Sequence, residues 1–290
     1  MTDRIAKIIA AITLLCMSQA EAQLAASFKV SKKQFLAGEP VMAVITVTNH
    51  AGRELVFQSD GRFQWLDISI KNSNGTIVNP RGRKLFGPMK IGAGQTLARE
   101  VDLTQHFQLT EPGNFSAAAV IHPPGDTADG TSTNRVFFSL SPGRPYWTQK
   151  VGIPGKSGQT REFRILNFSG DSKSQLYAQI RDGRTGEQIR TFLLGDTLML
   201  RKPSATIDRN QRLHVMFLTT PTMWVHYEID TDGRVASRQI HQRGAIGDPK
   251  LMTMGDGTVR VGNSIPYDAK AAAEALKKTR KASDRPAGTY

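Results

Sequence analysis

The stretch that decides the fold runs from Val41 to Thr48 and reads Val-Met-Ala-Val-Ile-Thr-Val-Thr. Every second residue, counted from Val41, is apolar and falls on one side of an extended chain, because the side chains of a strand alternate between its two faces. The residues that follow, Asn49-His50-Ala51-Gly52, include Asn and Gly, which favour turns. This stretch therefore predicts a β-strand that ends in a turn.

The same alternation recurs further along the first half of the chain. Leu66 to Lys71 alternates and runs into Asn72-Ser73-Asn74-Gly75, whose Asn-Gly pair tolerates the positive φ angles of a tight hairpin. Further short strands are predicted at 77–78, 91–97, 101–103, 114–121 and 135–140. About seven short strands with frequent turns are typical of a β-sandwich. We therefore expect a β-sandwich over residues 23–143.

Three segments of this first half resemble the bacterial immunoglobulin-like domains of exported proteins. They are Ala37-Gly38-Glu39-Pro40-Val41, Ile45-Thr46-Val47-Thr48-Asn49 and Leu109-Thr110-Glu111-Pro112-Gly113-Asn114-Phe115. The layout over residues 28–142 is similar to that of the proteinase-inhibitor-like members of this group. The resemblance implies an immunoglobulin-like sandwich. Its motifs describe strand entry and turn chemistry, so no inhibitory loop is transferred to particular residues.

A stretch rich in Pro and Gly, Ser141-Pro142-Gly143-Arg144-Pro145, is predicted to separate this sandwich from a second domain at 144–265. The second domain contains an internal repeat, Pro203–Val215 and Pro249–Val261. Each copy reads as a proline, a short strand, an Asn or Asp turn and an alternating strand. A predicted hairpin precedes each copy, at 176–194 and at 224–240.

A four-strand unit that recurs roughly every 40 to 50 residues has the period of a propeller blade, and these segments resemble blades of secreted propeller proteins. A closed propeller needs about four blades, whereas this domain holds two, with 162–168 as an extra strand. We expect two blade-like antiparallel repeats folded as a compact sandwich or meander, and completion by oligomerisation is the alternative. The chain is thus predicted to be all-β, with a basic tail at 266–290 that contains a short helix from Ala269 to Lys281.

The first 22 residues read as a cleavable signal peptide. Arg4 and Lys7 form a short basic region, Ile8–Met17 is an apolar run, and Ala20-Glu21-Ala22 supplies the small residues of a cleavage site. We predict cleavage after Ala22 and a periplasmic or secreted product, with an uncleaved N-terminal anchor as the alternative. Cys16 would leave with the signal, so the mature chain would contain no cysteine.

Composition narrows the range of functions. The chain has 290 residues, with 38 Lys and Arg against 25 Asp and Glu, for a formal net charge of +13. Its single cysteine excludes a disulfide framework and a thiolate zinc cluster. The basic excess is spread thinly along the chain, so a nucleic-acid partner is not expected. The charge favours weak association with an anionic envelope surface, or it serves solubility alone.

Motifs for catalysis or cofactor binding are not recognised in the sequence. Gly155-Lys156-Ser157 does not complete a phosphate loop, because Lys150 stands where the first glycine is needed. Glu228-Ile229-Asp230-Thr231-Asp232-Gly233 has alternate carboxylates, as a calcium loop does, but lacks the closing Glu and is better explained as a hairpin turn. We predict no catalytic residue, no cofactor and no set of metal ligands.

Three residues are candidates for a binding site: His214, Trp224 and His226. A connecting loop of three or five residues would place position 214 opposite 226, whereas a four-residue loop would pair 214 with 227. The two imidazoles would then contribute to a metal site or, with Trp224, to a sugar-stacking surface. The alternative is a pair of half-buried strand residues, since the sequence identifies no third ligand.

Two classes of function follow from these observations. The first is an exported, non-catalytic binding or scaffold protein, because β-domains without a catalytic motif offer surfaces and loops rather than chemistry. The alternative is a glycan-binding or protease-inhibitor-like accessory protein, or a glycan hydrolase whose carboxylates come from separate strands. The sequence leaves open whether the partner is a protein or a glycan, and it leaves the oligomeric state open.

Overall fold

The structure is a computed structural model that describes residues 24–59, 64–82, 87–124, 130–170, 173–268, 270–274 and 277. Strands dominate and the described helices are short, which confirms the all-β prediction. The predicted signal peptide and the end of the tail lie outside the described residues. Within the described ranges, no helix has both the length and the apolar character needed to cross a membrane. The chain divides into two compact units, Met1–Pro142 and Gly143–Tyr290.

The first unit is built from short antiparallel strands, apart from a parallel pair formed by β2 and β10. Its elements are β1 (Leu24–Val30), β2 (Gln34–Leu36), β3 (Met42–Asn49), β4 (Leu55–Phe57), β5 (Leu66–Asn72), β6 (Met89–Ile91), β7 (Thr96–Asp102), α1 (Leu103–His106), β8 (Gly113–Ile121), β9 (Thr131–Ser132) and β10 (Val136–Ser141). One sheet has the order β1-β3-β7. A second has the order β2-β10-β8-β5 with β9 beside β8, and β4 pairs with β6.

Strand β3 buries one of its two faces, as the alternation predicts. Ala43, Ile45 and Val47 are at most 2% exposed. They belong to one hydrophobic core, to which the second sheet contributes Ile70 and Phe138. The two sheets therefore share a core, because each has an apolar face whose removal from water is favourable.

Asn49 ends β3 as a fully buried polar residue. Its side-chain amide donates hydrogen bonds to the carbonyl oxygens of Arg53 (2.7 Å), Ile91 (3.0 Å) and Gly92 (3.2 Å). Its Oδ1 accepts a hydrogen bond of 2.9 Å from the backbone N–H of Ala51. A buried amide is tolerated when its donors and acceptor are satisfied in this way. Asn49 thus ties the turn after β3 to the end of β6.

The second unit consists of antiparallel strands. They are β11 (Arg144–Ile153), β12 (Lys156–Ser169), β13 (Ser174–Asp182), β14 (Gln188–Asp196), β15 (Ser204–Ile207), β16 (Leu213–Thr220), β17 (Met223–Ile229), β18 (Val235–Arg243), β19 (Lys250–Thr253), β20 (Val259–Gly262) and β21 (Ser264–Pro266). Of these, β11 and β12 are longer than any described strand of the first unit. One sheet is the meander β11-β12-β13-β14, and the next has the order β15-β16-β17-β18-β21. Strands β19 and β20 form a separate hairpin.

The two larger sheets of this unit share one hydrophobic core. The β11–β14 sheet contributes Phe163 and Ile180, and the β15–β18 sheet contributes Val215, Phe217 and Ile229. All five side chains are almost completely buried. On β16 and β17 most residues are buried, which is typical of strands that are covered on both faces.

The predicted grouping of strands into repeats is wrong in one respect. The sequence repeat grouped the hairpin at 176–194 with 203–215, and the hairpin at 224–240 with 249–261. In the structure, β15 and β16 instead share a sheet with β17 and β18, while β19 and β20 stand apart. The reason is the two-residue turn Pro221–Thr222, which joins β16 to β17 and leaves no room for the chain to change sheets.

The β11–β14 sheet begins with a long hairpin that the sequence analysis did not predict. Strands β11 and β12 pair over most of their length and turn at Pro154–Gly155. Gly155 has a φ angle of 75°, a conformation that glycine adopts without steric cost. The prediction of a single extra strand at 162–168 covered only the second half of this hairpin.

The short C-terminal helix is confirmed in the described part of the tail, where residues 270–274 are helical. Oδ1 of Asp268 accepts hydrogen bonds from the backbone N–H groups of Lys270 (2.8 Å) and Ala271 (3.2 Å). An aspartate in this position caps the N-terminus of a helix, because it satisfies amides that have no partner within the helix.

Candidate functional site

The predicted site residues lie on the face of the β15–β18 sheet that points away from the core shared with β11–β14. We call this face the outer face. Strand β16 contributes His214, Met216 and Leu218 to it, and β17 contributes Trp224 and His226. All five are buried. The β19–β20 hairpin packs Leu251 and Val261 against the apolar members of the set.

The structure brings His214 and His226 together, but not in the predicted register. His214 is opposite Glu228, and His226 is opposite Met216, so neither predicted pairing occurs. The difference arises because the connection is a two-residue turn with a bulge at Thr219, rather than a loop of three to five residues. Met216 is opposite His226, and His214 is two residues before Met216 on the same strand. Residues that are two apart on a strand point to the same face, so the side chains of His214 and His226 lie on one face.

The two imidazoles are diagonal neighbours in direct contact. Nδ1 of His214 lies 3.1 Å from Nε2 of His226. Their rings are stacked, with centroids 5.2 Å apart and an angle of 17° between the planes. The hypothesis that the two histidines meet is therefore correct, although the residues are more deeply buried than the half-buried alternative assumed.

A third histidine, His241, joins this pair from β18. It is opposite Trp224, and its ring centroid is 6.1 Å from that of His226. Within the described residues, neither ring nitrogen of His241 has a hydrogen-bond partner. His241 lies just outside the predicted strand, which ends at Ile240, one residue too early. Continuing the alternation by one residue would have found it.

Burial keeps two of these histidines uncharged near neutral pH. Desolvation, aided by the charges of His214 and His241, lowers the pKa of His226 to about 4 against the opposing effect of Glu228. Burial likewise lowers the pKa of His241. Desolvation disfavours the protonated form of an imidazole. The outer face therefore presents neutral imidazole nitrogens in this region.

Two carboxylates approach His214 from neighbouring turns and strands. Oδ2 of Asp208 is 3.5 Å from Nε2 of His214. Glu228, directly opposite His214 in the ladder, forms an ion pair with Arg212. One ligand atom each from Asp208, His214 and Glu228 lies within 4.8 Å of the others. From the sequence, Glu228 is predicted only as one of the acids of a hairpin turn, and Asp208 is not predicted as a site residue.

The hairpin interpretation of Glu228–Gly233 agrees with the structure. Oδ1 of Asp230 accepts hydrogen bonds from the backbone N–H groups of Asp232 (2.9 Å) and Arg234 (2.8 Å), which closes the turn between β17 and β18. Gly233 has a φ angle of 79°, as such a turn requires. Among the described residues, the group of possible metal ligands that contains Glu228 does not include Asp230 or Asp232.

Trp224 lines a hollow of about 480 Å³ at the other end of the outer face. We call it the Trp224 hollow. Its wall includes the buried side chains of Met216, Leu218 and Trp224, and its exposed basic residues are Arg201, Lys202 and Lys250. Asp248 is the one carboxylate among the lining residues that the structure describes. It accepts hydrogen bonds from Nε of Arg201 (2.9 Å) and from Nε of Arg243 (2.8 Å).

The charge balance of the Trp224 hollow favours negative ligands. Burial by itself raises the pKa of Asp248, but the hydrogen bonds and charges of Arg201 and Arg243 outweigh it and hold the pKa below the usual range. Asp248 is therefore ionised at neutral pH, and two guanidinium groups share it. The lysines of the lining add positive charge that this carboxylate does not neutralise.

Comparisons with known proteins give little further information. No protein-family model matches the chain, and no curated protein matches it. Among solved structures, it is similar to the crystal structure of Spo0M, a sporulation control protein from Bacillus subtilis. That alignment has 8% sequence identity and a TM-score of 0.29, and it covers 60% of this chain and 91% of the other. A likeness this distant does not support any conclusion about fold or function.

Proposed function

We propose that the protein is an exported, non-catalytic binding protein whose second unit captures an anionic glycan in the Trp224 hollow. The observation that carries the proposal is the combination of buried apolar side chains with an exposed basic lining in one hollow. The buried indole and aliphatic side chains give the hollow an apolar floor, whereas the exposed lysine and arginine side chains suit carboxylate, sulfate or phosphate substituents.

The size and polarity of the hollow agree with a small binding site. Sites for small molecules are concave, mostly apolar, and contain a few charged groups that orient the ligand. The Trp224 hollow has this character, with Arg201, Lys202 and Lys250 as its cationic groups. Positive charge concentrated around a cleft also accelerates the encounter with an anionic ligand.

The described residues that line the Trp224 hollow do not provide the pair of carboxyl groups that glycan hydrolysis needs. Glycosidases need two carboxyl groups on opposite sides of the scissile bond. Among the described residues, Asp248 is the one carboxylate that lines the hollow. Its ion pairs with Arg201 and Arg243 keep it ionised, so it is unsuited to act as a general acid. Binding without turnover is therefore the function that we favour over a hydrolase.

For the architecture, we infer an immunoglobulin-like sandwich for residues 23–143 and a blade-like repeat domain for 144–265. Two sheets around one core support the first, and two successive antiparallel sheets support the second. The export signal that the sequence predicts at residues 1–22 would deliver the protein to the envelope, where acidic glycans are available ligands.

The test is a screen of the mature chain, beginning at Gln23, against an array of uronic-acid-containing, sialylated and sulfated glycans. The best glycan is then titrated calorimetrically against the double variant Lys202→Ala, Lys250→Ala. The double variant Lys150→Ala, Lys277→Ala removes the same charge from exposed positions outside the hollow and serves as the matched control.

We expect tight binding by the parent chain and by the control, and at least about tenfold weaker binding by the double variant of the hollow, as expected for the loss of two charged contacts. Failure to bind any acidic glycan at millimolar concentration would refute the proposal. Equal losses in the two double variants would also refute it, because the effect would then come from net charge rather than from the hollow.

A further inference from the structure

We infer that Asp208, His214 and Glu228 form a binding site for one divalent cation of the zinc type. The three residues offer one nitrogen and two carboxylate oxygens within 4.8 Å of one another. Zn²⁺ and similar ions accept mixed nitrogen and oxygen ligands, commonly as three protein ligands and a water. The inference does not depend on the function of the Trp224 hollow.

The strongest observation is the unsatisfied nitrogen of His214. The His214 side chain is 5% exposed, and its Nε2 has no hydrogen-bond partner in the part of the chain that the structure describes. The nearby carboxylate oxygen, Oδ2 of Asp208, is 3.5 Å away and belongs to a side chain that is 9% exposed. A buried polar atom without a partner is costly, and a cation between these two atoms would satisfy both.

His226 prepares His214 for this role. Nδ1 of His214 is 3.1 Å from Nε2 of His226, so the Nδ1–H of His214 can donate a hydrogen bond to its neighbour. In that tautomer the lone pair of His214 lies on Nε2, the nitrogen that is 3.5 Å from Oδ2 of Asp208. Histidines that bind metals characteristically donate their second ring N–H to a partner, which fixes the tautomer and the ring orientation.

Both carboxylates are held in place by groups that leave one oxygen for the ion. Oδ1 of Asp208 accepts hydrogen bonds from the backbone N–H groups of Asn210 (2.9 Å) and Arg212 (2.8 Å), which directs Oδ2 to His214. Arg212 also donates to Oε1 of Glu228, so that Oε2 is the oxygen of Glu228 that we assign to the ion. Because His214 and Glu228 are opposite each other in β16 and β17, backbone hydrogen bonds fix their separation.

The alternative to a metal site is a chain of hydrogen bonds that links Asp208, His214 and His226 without an ion. In the other tautomer, Nε2–H of His214 would point to Asp208 and Nε2–H of His226 to Nδ1 of His214. The residues would then form a chain of hydrogen bonds without any ion. That arrangement predicts no stoichiometric zinc binding, whereas a metal site predicts one zinc ion for each chain.

The experiment is a calorimetric titration of the untagged mature chain with ZnCl₂, compared with Asp208→Asn and Glu228→Gln. Both substitutions keep the shape of the side chain, and asparagine retains the oxygen that closes the turn at 208–212. Asp230→Asn is the matched control, since Asp230 closes its own turn through the same pair of backbone hydrogen bonds but is not part of the cluster. Circular dichroism and hydrogen exchange verify that each variant is folded.

We expect one Zn²⁺ for each parent chain and unchanged affinity in Asp230→Asn. Each ligand variant should bind at least about 100-fold more weakly, since loss of an outer-shell partner alone costs about 10- to 100-fold. Co²⁺ bound to the parent should give visible absorption bands that both ligand variants lose. The inference is overturned if zinc does not bind, if it binds equally to Asp208→Asn and Glu228→Gln, or if Ca²⁺ binds more tightly than Zn²⁺.

Discussion

Nδ1 of His214 lies 3.1 Å from Nε2 of His226, although the two residues are diagonal neighbours rather than an opposite pair across β16 and β17. The contact exists because both residues occupy the same face of the sheet and both are covered by protein. In such an environment a hydrogen bond between two neutral imidazoles is shielded from competition with water. Removing either partner therefore leaves a buried nitrogen without a hydrogen bond.

The first prediction concerns this pair. His226→Ala should lower the free energy of unfolding of the second unit by about 2 to 3 kcal/mol, because it creates a cavity and leaves Nδ1 of His214 unpaired. Hydrogen exchange of β16 and β17 in the absence of added metal measures the effect. Arg184→Ala, at an exposed turn position of the same unit, should change its stability by less than about 0.5 kcal/mol. Equal effects of the two substitutions would contradict the assigned role of His226.

A second prediction tests the buried amide at the end of β3. Asn49→Asp keeps the size of the side chain but turns its NH₂ group into an acceptor that faces three carbonyl oxygens. We expect a loss of at least about 3 kcal/mol in the stability of the first unit, because a charge would be buried without a donor. Urea denaturation followed by hydrogen exchange of β3 and β6 provides the measurement.

The same substitution at Asn72 is the control for this experiment. Oδ1 of Asn72 accepts hydrogen bonds from the backbone N–H groups of Asn74 and Thr76, and aspartate can accept them equally well. Asn72→Asp should therefore leave the stability almost unchanged. If Asn49→Asp were as mild as Asn72→Asp, the hydrogen bonds of Asn49 would not be important for the first unit.

A third prediction concerns pH and the Trp224 hollow. Because Arg201 and Arg243 hold the pKa of Asp248 below its usual range, the ion pairs stabilise the folded state above the unfolded-state pKa, which is about 4. This contribution is lost as the pH falls through the lower pKa of the folded state. A carboxyl NMR titration should place the midpoint for Asp248 below that of an exposed aspartate.

The variant Arg201→Gln, Arg243→Gln provides the internal comparison for that titration. Without the two guanidinium groups, the remaining effect on Asp248 is desolvation, which raises its pKa. The midpoint should therefore move upward. A midpoint that stays the same in the double variant would mean that the two arginines do not determine the ionisation of Asp248.

The fourth prediction addresses salt. Binding of an acidic glycan to the Trp224 hollow should weaken as NaCl rises from about 50 to 500 mM, because the Debye length then shortens to well below 10 Å. Calorimetric titration at several salt concentrations gives the slope. The double variant Lys202→Ala, Lys250→Ala should have a smaller slope than the parent chain. Affinity that does not respond to salt would indicate that apolar contacts with Trp224 and its neighbours dominate.

Period-two patterning was sufficient to predict the class of fold and several strands. The alternation at 41–48 appears in the structure as β3, with its apolar face in the core. The Asp-Gly turn at 230–233 was likewise readable, because Gly233 has the positive φ angle that the hairpin needs. Such features depend on residues that are close together in the sequence, so local chemistry is enough to predict them.

Strand boundaries and partners were less predictable. The β11–β12 hairpin was missed because its outer residues are largely polar and exposed, which hides the alternation. His241 was missed because β18 continues past Ile240. Whether β15 and β16 share a sheet with β17 and β18 depended on the length of the turn at Pro221–Thr222. One residue more or fewer in that turn changes which residues of β16 and β17 are opposite each other.

By itself, then, the amino-acid sequence determined that this chain forms strands, where most of them lie, and which faces they bury, because alternation is a local property. Only the tertiary structure decided that Asp208, His214 and Glu228 converge, and that Trp224 lines a basic hollow with Arg201 and Lys250. These side-chain arrangements depend on the hydrogen-bond register of the strands and on the packing of segments that are distant in the sequence. Both are properties of the whole folded unit, in which a shift of two residues along a ladder changes which side chains touch.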